Sequence, residues 1–70
     1  MKFEIAVFNE IVRDTVRSGE DYKGFIPLKY ENMILHELYA TSMDDAIKRS
    51  EAKWPSDSGY VIDTLRSLSD

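Results

Sequence analysis

The chain has no cysteine and a single histidine among its 70 residues. The first absence excludes disulfides and thiolate zinc sites, and the second removes the usual nitrogen donors, so no crosslink, metal or other cofactor is expected to brace the fold. Glycine is equally scarce, with residues only at positions 19, 24 and 59. Glycines so widely spaced cannot make a phosphate-cradling loop, and Ser42, Ser56 and Ser58 lack the context of a nucleophile elbow. Charge of one sign is nowhere concentrated: 13 acidic and 9 basic residues are scattered along the chain, giving a net charge of −4 and a pI near 4.8. Non-specific nucleic-acid binding uses a clustered basic surface, so this balance disfavours it. No apolar run has the length of a membrane span. The first ten residues carry acids within their apolar run and show no small-residue cleavage pattern, unlike a secretory or transit peptide. A soluble, cytoplasmic protein without a membrane partner is the expectation.

Residues 1–70 are enough for one small domain, and a chain this short leaves a large share of its surface in water. With no covalent staple, extra stability has to come from compact packing or from self-association, and a homodimer is expected.

The strongest pattern lies in residues 34–65. A strand at 34–41, a helix at 43–54 and a strand at 60–65 make a strand–helix–strand unit of about 32 residues, the usual size of such a unit. Ser42 followed by Asp45 resembles a capping box with a shorter acid, and Pro55 ends the helix. Met43, Ala46, Ile47, Ser50 and Trp54 fall on one face of that helix, with Met43, Ala46, Ile47 and Trp54 as its core contribution, while Asp44/Lys48 and Asp45/Arg49 pair on the other.

Upstream, residues 2–8 alternate, placing Phe3, Ile5 and Val7 towards the core. Asn9 can cap a helix of about ten residues that starts at Glu10 and ends at Gly19. Residues 20–32 lose the pattern but keep Tyr22, Phe25, Ile26, Leu28 and Tyr30, so they form either a lid on the core or a contacting loop. Residues 66–70 are expected to fray.

The fold class that follows is α+β in the order β-α-β-α-β: a small three-stranded mixed sheet, split βαβ-like, with two helices packed on one face. The first strand is placed between the other two and antiparallel to both.

Candidate functional residues divide into two sets. The second strand is apolar on both faces, so an open sheet side would show Leu35, Tyr39 and Phe8, and exposed apolar patches mark interfaces. With Tyr22, Phe25 and Tyr30 of the loop, these are the interface candidates. The leading reading is therefore an acidic protein–protein interaction module that docks through the open sheet face or the 20–32 loop, to itself or to a larger protein. One form of it is a regulator or inhibitor that covers the basic surface of a nucleic-acid-handling protein.

The other set is a ligand site. His36 is the one side chain that titrates near neutrality, and Glu37 or Asp63 from a neighbouring chain could complete a small-molecule or enzyme site at an oligomer interface. A hydrogen-bonded core or rim histidine is the plainer reading of His36, since no second aligned group is evident. Glu4, Glu37 and Asp63 could also cluster, although carboxylates on a sheet surface ordinarily keep it soluble and deter edge pairing.

Overall fold

The computed structural model describes residues 1–68, and its elements follow in the expected order. They are β1 (Lys2–Asn9), α1 (Glu10–Arg17), β2 (Ile34–Tyr39), α2 (Met43–Lys53) and β3 (Tyr60–Leu68), with 3-10 turns at Leu28–Glu31 and Ser56–Ser58. The sheet order is β2-β1-β3, and β1 is antiparallel to both neighbours. The two outer strands thus run the same way without touching.

Alternation along β1 sets the two faces of the sheet. Phe3, Ile5 and Val7 are fully buried and point to the inner face. Cross-strand register brings Leu38, His36 and Ile34 of β2 beside them. On β3 the corresponding residues are Leu65 and Ile62, which are three apart and could not share a face in a regular strand. A shift of register between Ala6 and Val7 skips Asp63 and turns both inward, as a bulge does by adding one unpaired residue.

The inner face is covered by Trp54, which packs with Ile5, Val7 and Tyr30, and by Ala46, which packs with Phe3 and Ala40. Trp54, 3% exposed, brings a large apolar side chain into this core. Helix α1 packs against the Leu28–Glu31 turn, and its Val12 is fully buried. Asn9 joins these parts. Its Oδ1 accepts from the amides of Ile11 and Val12, and its Nδ2 donates to the Ser58 carbonyl at 3.0 Å. Beside it the Glu10 amide donates to the Gly59 carbonyl.

Helix ends explain the differences from the sequence-based bounds. Helix α1 stops at Arg17 because Gly19, at φ +82°, closes it: the Gly19 amide donates to Val16 and the Glu20 amide to Thr15, a Schellman arrangement. In α2 the Ser42 hydroxyl accepts from the Asp45 amide as expected, but the Asp45 carboxylate reaches one residue further back, to the amide and hydroxyl of Thr41. Strand β2 therefore ends at Tyr39 rather than 41. Trp54 leaves helical geometry ahead of Pro55, since the proline ring disfavours a helical residue before it.

Two expectations are corrected. Met43 and Ile47 are 42% and 41% exposed and are not core. The buried line of α2 runs through Ala46 and Ser50, whose small side chains let the helix approach the sheet, and Met43 and Ile47 fall at its edge. Residues 66–68 do not fray but continue β3 to Leu68, where Arg66 pairs with Glu4 across the ladder. Ser69 and Asp70, which also fell in the expected frayed tail, lie outside the described residues.

Candidate interaction surfaces

Three surfaces carry apolar groups that the fold leaves in solvent. The first is the outer face of the sheet. Glu4 of β1 stands directly opposite Glu37 of β2, a like-charge pairing that costs stability. Each acid is matched by its own cation: Lys2 reaches Glu37 at 3.0 Å, and Arg66 reaches Glu4 at 2.8 Å. Around these neutralised pairs Leu35 and Tyr39 stand 65% and 67% exposed. Phe8, the third candidate on this face, is half-buried because the Arg13 guanidinium lies 3.6 Å above its ring. Arg13 is held there by donating from Nε to the Glu31 carbonyl.

The second surface is the 20–32 loop, which is lid and projection at once. Ile26 and Tyr30 turn down into the core, so Tyr30 is not an exposed anchor. Tyr22 is half-buried; its ring folds across Gly24 and its hydroxyl accepts from the Ile26 amide. Phe25, at the tip, is fully exposed, and Leu28 is also largely exposed.

The third surface was not foreseen from the sequence. A groove of about 570 Å³ opens between the second half of α2, the Pro55–Asp57 link and β3, with Ile47, Trp54, Tyr60, Ile62 and Leu65 as its apolar lining. Among the described residues, Glu51 and Asp57 are the charged members of its lining. Its volume lies within the usual range for binding pockets. Only the bulge in β3 puts Ile62 and Leu65 on the same side, and a bulge leaves no clear sequence signal.

His36 lies at the rim of the core. Its Nε2 is hydrogen-bonded to the Tyr30 hydroxyl at 3.0 Å, and its ring rests between those of Tyr30 and Trp54. Burial, reinforced by Lys29 and Lys53, holds the imidazole below its ordinary pKa of 6.5. Burial likewise raises the Tyr60 hydroxyl, with Tyr30 and Tyr22 adding to it. Within one chain Glu37 points to the opposite face from His36, and Asp63 lies at the bulge of the far strand, bonded to the Thr64 hydroxyl. Glu4 and Glu37 meet, but Asp63 does not join them. Among the described residues no three His, Asp or Glu side chains come close enough to hold a metal ion, and no helix is long and apolar enough to cross a membrane.

Comparison of the chain with protein-family models, with curated proteins and with solved structures finds no match.

Proposed function

We propose that the chain is a non-enzymatic interaction module that docks a larger protein through the outer face of its sheet. The observation that carries this reading is the exposure of Leu35 and Tyr39 together on the outer face of the sheet. Exposed apolar side chains are what a docking surface presents, with an aromatic as the energetic anchor. Lys2 and Arg66 neutralise Glu37 and Glu4, the acids that lie between and beside Leu35 and Tyr39. The net charge of −4 favours a partner with a basic surface, such as a protein that handles nucleic acid and is regulated by being covered. His36 takes no part in this reading. Its ring is engaged by Tyr30 and Trp54, as a structural rim histidine would be.

The test is capture from a cell extract by the wild-type chain and by Leu35→Asp/Tyr39→Asp. Both positions are exposed, so the double variant should keep the fold, as circular dichroism would verify. A protein retained by the wild type and lost by the variant, with at least about a 30-fold weaker Kd on titration, is the expected result. Equal retention by both would reject the outer face as the docking surface.

A further inference from the structure

We propose that two copies of the chain associate by seating the Phe25 loop of each in the α2–β3 groove of the other. This rests on reading the chain as an interaction module, but it uses the side of the molecule away from Leu35 and Tyr39.

The loop is built to project. Ile26, beside Phe25, is packed against the core, and the Tyr22 hydroxyl brackets the turn by accepting from the Ile26 amide. A Cβ at Gly24 would run into the Tyr22 ring and hydroxyl, so glycine is what lets this bracket close. Phe25 is therefore held out in solvent by a fixed turn, and little ordering remains to be done when it binds. An exposed phenylalanine on such a turn is an anchor without a pocket.

The groove is the matching pocket without an anchor. Ile47, Trp54, Ile62 and Leu65 give it an apolar floor, and Glu51 and Asp57 are the charged residues among its described lining, with Lys53 nearby over the Trp54 ring. The tip of the loop, residues 23–29 around Phe25, carries Lys23 and Lys29, while the acids of the loop, Glu20, Asp21 and Glu31, lie towards its two roots. Charge and apolar character thus match between two parts of the same sequence.

Placement favours a closed pair. Tyr30, which ends the loop, meets Tyr60 of the groove edge-on at 5.4 Å between ring centroids. The root of the loop therefore borders the groove. A two-fold exchange fills both grooves and leaves neither loop free, so assembly stops at a dimer.

Sedimentation of the full chain between about 1 µM and about 1 mM tests this, because a small interface of this kind dissociates within that range. A monomer–dimer equilibrium is expected for the wild type. Phe25→Asp, at a fully exposed site, should leave the thermal midpoint in place and weaken association by at least about 30-fold.

Charge reversal gives the decisive arm. Lys23→Glu/Lys29→Glu and Glu51→Lys/Asp57→Lys should each be monomeric alone. Mixed, they should form a heterodimer, because each loop then meets a groove of opposite charge. A wild type that is monomeric throughout, a dimer unaffected by Phe25→Asp, or a mixture that stays monomeric would overturn the proposal. Leu35→Asp/Tyr39→Asp should leave this dimer intact. If that variant abolished the dimer while Phe25→Asp did not, the loop–groove contact would be refuted and the outer face would stand as the self-association surface.

Discussion

Gly59 meets two constraints at once. Its backbone lies at φ +92°, and a Cβ there would sit 2.7 Å from Ile11 Cγ1 and Cδ1 and 2.9 Å from Asn9 Oδ1. Gly19 has a similar backbone, at φ +82°, but open space around it. Alanine at either position incurs the left-handed penalty of about 1–2 kcal/mol. Only at Gly59 does it also push on Ile11 and on the oxygen that caps α1. Gly59→Ala should therefore lose clearly more stability than Gly19→Ala in urea unfolding, and equal losses would show that the crowding is relieved at no cost. The capping role of Asn9 was legible from its place before Glu10. Its bond to Ser58 was not, because that contact spans 49 residues of sequence and depends on how two segments meet. Tyr30 turns into the core for a comparable reason, since an aromatic in a loop sequence gives no sign of which way it turns.

At the scale of elements, the cap of α2 was written plainly in Ser42 and Asp45. Asp45 collects the Thr41 amide, the Thr41 hydroxyl and the Arg49 Nε at 2.9 Å. The Thr41 amide first, and then Arg49, hold its carboxyl below the usual carboxylate range. Ser42→Ala should destabilise the protein by about 1 kcal/mol, as losing an N-cap hydroxyl does, with the change read from the urea midpoint. Helical periodicity locates the apolar stripe of α2 but not its centre, and so assigns Met43 and Ile47 to the core where Ala46 and Ser50 fill the closest approach. In β3, alternation predicts one face for Ile62 and the other for Leu65. The bulge at Asp63 reverses that, and with it the groove was hidden. The open outer face, by contrast, followed from apolar residues on both sides of β2.

At the scale of the whole molecule, β2, α2 and the 20–32 loop converge on one titrating group. His36 is held neutral at pH 7 by burial and by Lys29 from the loop side and Lys53 from α2. Its folded pKa lies below the 6.5 of the unfolded chain, so the unfolded state takes up the proton first as pH falls. The stability this provides is complete above about pH 6.5 and is lost progressively as pH drops through the lowered folded value. The thermal midpoint should decline as pH falls below about 6.5, and His36→Gln should flatten that slope. An unchanged slope in the variant would place the titration elsewhere. The strand order has a different reach. Strand β1 is the hub of the sheet, yet it precedes both of its partners, and β3 is the last element of the described chain. During synthesis one edge of β1 can pair once β2 has emerged, while the other stays open until β3 follows. Closing the sheet on that side is a long-range event of the kind that slows folding. Lys2 and Glu4, which sit within that waiting strand, act as gatekeepers against its pairing with a neighbouring nascent chain.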